Sequence, residues 1–253
     1  MTRLLILGGT REAADLARAV AERLPAIRIT SSLAGRAGVP DLPGEVRVGG
    51  FGGAPGLADW LRNSRVDAVV DATHPFAERI SAHAAAACAE TGVPLLRFER
   101  AAWCEQPGDR WHRVPDLDAA AAALPSVGRR AFLTVGAGGV AAFAGVQGVW
   151  FLVRLLAPAT LPLADYTVTV GRGPFAVDAE AGLMCAHRID VLVTKASGGA
   201  ATAAKLEAAR QLGLPVLVVD RGNRHLAATK VCMAYTLGEA IEWLSRMGSN
   251  TDE

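Results

Sequence analysis

Short apolar runs alternate with alanine-rich amphipathic stretches along the whole chain, and that alternation leaves few folds open. Parallel strands need crossovers of helical length, so strands separated by such stretches read as βαβ units. In the first half, strands are expected at 3–7, 27–30, 68–71 and 95–98, with helices near 11–23, 56–63 and 77–91. A polar stretch follows Trp103, then a helix near 116–124 and a linker at 125–128. The alternation then restarts, with strands at 131–135, 149–155, 166–170, 191–194 and 216–219 and helices near 177–187, 200–212 and 237–247. The expected fold is α/β: two Rossmann-like doubly wound domains, 1–128 and 129–253, flanking a central cleft.

Composition narrows the function. A length of 253 residues suits two small domains. With a net charge of +1, no overall field favours nucleic acid or a membrane surface. The cysteines at 88, 104, 185 and 232 have no metal-ligand spacing and are expected as buried free thiols. Met1-Thr2-Arg3 runs straight into an apolar strand, without a signal-peptide pattern, and the expected compartment is the cytoplasm. The stretch 131–153 carries no charge and has the length of a membrane span. Its glycines divide it instead into strand, turn, short helix and strand.

The first strand runs into Gly8-Gly9-Thr10-Arg11-Glu12-Ala13, a variant of the dinucleotide fingerprint. Gly8 is expected to make the tight turn and Ala13 to let helix and strand approach. Thr10 replaces the second glycine and offers a hydroxyl to phosphate beside the helix amides. The second strand ends in Thr30-Ser31-Ser32-Leu33-Ala34-Gly35-Arg36, with no acid to hold a ribose 2′-hydroxyl. Hydroxyls at Ser31 and Ser32 with Arg36 suit the 2′-phosphate of NADPH. Gly49-Gly50-Phe51-Gly52-Gly53 allows close approach of a ligand to backbone, with a merely flexible loop as the alternative. Asp71-Ala72-Thr73-His74-Pro75-Phe76 follows the third expected strand, and Thr73 and His74 are expected to face the nicotinamide. His74 is the candidate proton donor, against a role in shaping the pocket alone.

Taken in order, these segments resemble the precorrin-6A reductase family, which includes the cobalt-precorrin-6A reductases. The likeness continues through Trp103, Arg154, Gly171-Arg172-Gly173-Pro174-Phe175, Thr194-Lys195, Ser197-Gly198-Gly199 and Lys205, and covers nearly the whole chain. The resemblance implies an NADPH-dependent oxidoreductase of cobalamin biosynthesis. Hydride would pass to C19 of precorrin-6A and a proton to C18, reducing the C18–C19 double bond to give precorrin-6B. Its cofactor residues would be Gly8, Gly9, Thr10, Glu12, Ser31, Ser32, Arg36, Gly50, Phe51, Gly52, Thr73 and His74. The polycarboxylate macrocycle calls for basic groups and amide donors, here Arg154, Arg172, Lys195, Ser197, Gly198 and Gly199. No metal is implied.

The chain departs from the family pattern at Ala102 before Trp103, Ala137 after Gly136, Ala196 after Lys195 and Gly222 after Arg221. These changes thin the polar groups of the second domain and leave the cofactor side intact. Two rivals stay open: reduction of the cobalt-containing substrate, and a non-catalytic nucleotide sensor. A short-chain dehydrogenase needs Tyr-x-x-x-Lys, and neither Tyr166 nor Tyr235 has a lysine four residues on. The sequence leaves the oligomeric state open.

Overall fold

The computed structural model describes residues 1–35, 40–221 and 231–249, which form two compact units. One unit holds residues 1–100 together with 231–249; the other holds 101–221. Each is built on a six-stranded sheet whose pairings are all parallel.

The first sheet comprises β1 (Arg3–Leu7), β2 (Arg28–Leu33), β3 (Glu45–Val48), β4 (Ala68–Asp71), β5 (Leu95–Phe98) and β12 (Cys232–Ala234). Its spatial order, β3-β2-β1-β4-β5-β12, is that of a dinucleotide-binding fold, except that the sixth strand comes from the far end of the chain. Alternation along β1 decides the layers. Leu4 and Ile6 pack with α1 (Arg11–Arg23) and α7 (Leu237–Ser249), while Leu5 and Leu7 pack with α2 (Gly53–Asn63) and α3 (Glu78–Thr91). A strand covered on both faces is apolar throughout, hence Leu-Leu-Ile-Leu in β1 and Ala-Val-Val before Asp71 in β4.

The second sheet repeats the plan with β6 (Trp111–Val114), β7 (Arg130–Thr134), β8 (Trp150–Leu155), β9 (Tyr166–Val170), β10 (Val191–Lys195) and β11 (Val216–Val219). Its order is β9-β8-β7-β10-β11-β6, so here the sixth strand precedes the other five in sequence. Helices α5 (Val177–Ala186) and α6 (Ala204–Gln211) cover one face through Met184, Leu206, Ala208 and Ala209. Helix α4 (Leu117–Val127) contacts β6 and β11 and packs beside the 3-10 segment Ala137–Phe143.

Several expectations change. The boundary expected at 128 falls instead after residue 100, because β6 and α4 belong to the second unit, and the C-terminal strand and helix return to the first. Residues 125–127 are the last turn of α4, with Pro125 inside it, rather than a linker. The stretch 131–153 is β7, a 3-10 turn and β8, and no helix among the described residues is long and apolar enough to cross a membrane. Only Cys88 is a buried thiol; Cys104, Cys185 and Cys232 are exposed.

Candidate active site

In the first unit β1 and β4 are neighbours whose following helices turn to opposite faces, which opens a crevice at their carboxyl ends. The Gly8 N–H continues the ladder by donating to the Ser32 carbonyl at 2.9 Å. A Cβ at Gly8 would lie 3.4 Å from the Ala13 Cβ, so these two small residues set the approach of helix to strand. The left-handed conformation falls on Gly9 rather than Gly8, with φ +102° and nothing within 4 Å of a Cβ there. That open side of the turn leaves room for a dinucleotide's pyrophosphate.

Thr10 does something other than expected. As N-cap of α1 its Oγ1 accepts from the Ala13 N–H at 3.1 Å. The hydroxyl's single hydrogen goes to the Ala72 carbonyl at 2.7 Å, tying together the loops on either side of the crevice. It therefore has no proton left for a phosphate. Glu12 is also engaged: Oε1 pairs with Arg100 Nη1 at 3.2 Å, while Oε2 is buried without a hydrogen-bond partner.

Ser31 and Ser32 are both buried near the end of β2, and the Ser31 Oγ has no hydrogen-bond partner. Arg36 lies outside the described residues, as does Gly222. Sequence reasoning missed Arg47, on β3 opposite Ser32. Its Nη1 donates to the Gly49 carbonyl at 2.6 Å and its Nη2 to the Gly50 carbonyl at 2.7 Å. The guanidinium carbon sits 3.9 Å from the centre of the Phe51 ring, which packs edge-on against Trp60 at 5.5 Å. The loop carrying Gly50, Phe51 and Gly52 is thus clamped, and Cβ positions at Gly49, Gly50 and Gly52 face open space. The signal in the sequence was an arginine inside Glu-Val-Arg-Val, two residues before the glycines.

Across the crevice, the loop after β4 rests on a buried polar network. Asp71 Oδ1 accepts from the Thr73 N–H at 3.0 Å and from the Thr73 hydroxyl at 2.6 Å. Arg97, 2% exposed on β5, donates through Nη1 to Asp71 Oδ2, to Ser81 Oγ at 2.8 Å and to Thr73 Oγ1 at 3.2 Å. Its Nη2 is 3.5 Å from Glu99 Oε1, an ion pair without hydrogen-bond geometry. Thr73 therefore holds its loop in place, with both its hydroxyl proton and its N–H spent on Asp71 rather than offered to a ligand. His74 is half-buried; its Nδ1 accepts from the Phe76 N–H at 3.2 Å, which puts the proton of the neutral ring on Nε2. A charged residue within Leu-Leu-Arg-Phe was the signal for Arg97, since a strand buried on both faces carries a charge only when it is paired.

In the second unit the loop of Arg172 lies against the loop that follows Gly199, since a Cβ at Gly173 would come 2.7 Å from the Ala201 carbonyl oxygen, and the expected substrate residues differ in what already engages them. Arg154 Nη1 is paired with buried Glu180 at 2.7 Å, and the guanidinium carbon lies 4.0 Å from the centre of the Phe175 ring. Its charge is matched within the unit, which weakens it as a carboxylate ligand. Arg172 is exposed between Gly171 and Gly173. Lys195 ends β10 half-buried, with Ser197, Gly198 and Gly199 next in the chain. That loop is held by Arg221, which donates to the Ala196 and Ser197 carbonyls at 2.7 and 3.0 Å, and by Trp103 Nε1, which donates to the Gly199 carbonyl at 2.8 Å. Ala196 is buried in the apolar cluster with Phe132, Leu152 and Leu206.

A parallel sheet of this order, with an open glycine turn at its crevice, defines the first unit as Rossmann-like. The profile of the family described as "Precorrin-6x reductase CbiJ/CobK" matches residues 3–245, and the chain belongs to that family of reductases. It is 54% identical over 223 residues to a precorrin-6A reductase from Rhodococcus erythropolis, covering 87% of this chain and 90% of the relative. A cobalt-precorrin-6A reductase from Salmonella typhimurium is 31% identical over 236 residues, covering 86% and 87%. The solved structure of a CobK precorrin-6A reductase superposes with a TM-score of 0.90 at 46% identity, covering 98% of each chain.

Proposed function

We propose that this chain reduces the C18–C19 double bond of precorrin-6A with NADPH, giving precorrin-6B in cobalamin biosynthesis. Family membership carries the reading, and the open glycine turn of the first unit fits it with a dinucleotide. Bound there, NADPH would supply the hydride to C19. The chain's own part is positioning. Gly8 and Gly9 let backbone meet the pyrophosphate, and Thr10 and Arg97 fix the two loops between which the nicotinamide would lie. Ser31 and Ser32 line the end of β2 on the adenosine side, while Glu12 orders Arg100. His74 is the proposed donor toward C18, acting as the imidazolium and left neutral by the transfer, since the neutral ring cannot give up its one proton.

The second unit is proposed to hold the macrocycle. Lys195 and the amides of Ser197, Gly198 and Gly199 would meet its carboxylates, with Arg172 as an exposed cation and Arg154 shaping the site through Phe175. The expected compartment is the cytoplasm, where NADPH is available. Identity favours the metal-free substrate: 54% to the precorrin-6A reductase against 31% to the cobalt-precorrin-6A reductase.

The deciding experiment incubates purified protein with precorrin-6A or its cobalt complex, each with NADPH or NADH. Product mass rising by two hydrogens with precorrin-6A and NADPH is the expected result. Turnover confined to the cobalt complex would correct the substrate, and no turnover with binding of NADPH intact would leave a sensor.

A further inference from the structure

We propose that Arg47 is a positioning residue for cofactor choice: by gripping the Gly49 and Gly50 carbonyls it turns the Gly50 and Phe51 amides outward as a cradle for the 2′-phosphate of NADPH. The inference rests on the reading of the first unit as the NADPH site. In a trans peptide the C=O and N–H point in opposite directions. The Gly49 carbonyl shares its peptide with the Gly50 N–H, and the Gly50 carbonyl shares its peptide with the Phe51 N–H. Nη1 and Nη2 hold both carbonyls at 2.6 and 2.7 Å, so both N–H groups are directed away from the guanidinium. Neither amide donates to a described residue. A Cβ at Gly49, Gly50 or Gly52 would meet nothing within 4 Å, so the outward side is open. Stacking on Phe51 at 3.9 Å, with that ring packed on Trp60, fixes the guanidinium plane and pre-organises the cradle.

Charge and position select the anion. Arg47 forms no ion pair among the described residues, and no acidic side chain stands in Ser32-Leu33-Ala34-Gly35 or in Val48-Gly49-Gly50-Phe51. Among the described residues, the loop therefore carries a positive charge without an acidic partner beside two amide donors without acceptors. It follows β3, two strand spacings or about 10 Å from β1, whose turn faces the pyrophosphate. The end of β2, which pairs with β3, is where such folds place the adenosine ribose. A phosphate on the ribose 2′-oxygen suits two amides and a nearby cation, whereas an uncharged 2′-hydroxyl gains little from them.

The test titrates the full chain with 2′,5′-ADP and with 5′-AMP by calorimetry, using wild type, Arg47→Met and Arg47→Lys. Wild type is expected to prefer 2′,5′-ADP. Arg47→Met should weaken 2′,5′-ADP at least tenfold while changing 5′-AMP less than twofold. Arg47→Lys keeps the charge without the two-pronged grip, so its loss should fall within threefold of the methionine variant's. Full rescue by lysine overturns the cradle, and so does equal weakening of both nucleotides or no change in either. Wild type that binds neither nucleotide would instead overturn the reading of the first unit on which the inference stands.

Discussion

Arg97 and Asp71 show at the scale of single residues how much of the site is support rather than contact. Both are almost fully buried, and together with Thr73 and Ser81 they fix the loop that carries His74. Removing one partner of a buried pair leaves the other charge stranded, which costs about 3–5 kcal/mol. Arg97→Met should therefore lower stability by that amount in urea unfolding, and Asp71→Asn added to it should recover part of the loss. A loss under about 1 kcal/mol would give the pair the weight of a surface contact. His74 has a kinetic test. If its Nε2 delivers the proton, His74→Ala lowers kcat about 10²-fold or more and removes the basic limb of the pH profile. A smaller loss with an unchanged profile hands the proton to water. Cys88 adds a pH dependence, because burial first and the Asp71 charge second push its thiol up to about 12. The folded protein keeps this proton while the unfolded thiol loses it above about 9, so the Cys88 contribution to stability falls as pH rises from 9 towards 12. Cys88→Ala should flatten that slope, and thiol labelling at pH 8 should reach Cys104, Cys185 and Cys232 first.

Secondary-structure elements divide into those the sequence shows and those it hides. Strands buried on both faces, such as Leu4 to Leu7 or Val216 to Val219, announce themselves as apolar runs. The strands that went unrecognised, β3, β6 and β12, all lie at sheet edges. Edge strands are short and half-exposed, and Glu-Val-Arg-Val, Trp-His-Arg-Val and Cys-Met-Ala carry no such run. Site residues divide in the same way. Glycines and His74 stand out by type and order, whereas the Thr10 hydroxyl is spent on a partner 62 residues away, and the Asp71 that takes the Thr73 proton is fixed by Arg97, 26 residues on. Arg47 was overlooked because β3 was. The glycine loop also depends on α2, since a Cβ at Gly56 would fall 1.9 Å from the Phe51 carbonyl oxygen. Gly56→Ala must displace that carbonyl, and the overpacking should cost about 1–3 kcal/mol in thermal or urea unfolding. Retention of wild-type stability would mean that the Phe51 carbonyl swings aside freely.

For the whole molecule, the consequential feature is the path of the chain: it leaves the first sheet after β5, builds the entire second unit, and returns to supply β12 and α7. The first unit is therefore incomplete until the last residues are made. Ala234, Ala240 and Leu244 belong to the same buried cluster as Leu4, Ile6, Leu16 and Val20, with Ile241 and Trp243 packed against it. Fully burying a residue such as Leu244 contributes about 1.5–3 kcal/mol, and truncating it to alanine costs about 2–5 kcal/mol once the cavity is counted. Leu244→Ala should thus destabilise the first unit although it is far in sequence from the glycine turn. Deleting everything after Arg221 should do more, since it strips the edge of β5 and uncovers the α1 face of the sheet. The second unit keeps all six of its strands in that truncated chain. Protease protection is the expected readout: a resistant fragment spanning 101–221, with residues 1–100 digested and nucleotide binding lost. Equal resistance of both parts would show that β1 to β5 with α1 to α3 hold together unaided, and that the returning segment only closes an edge.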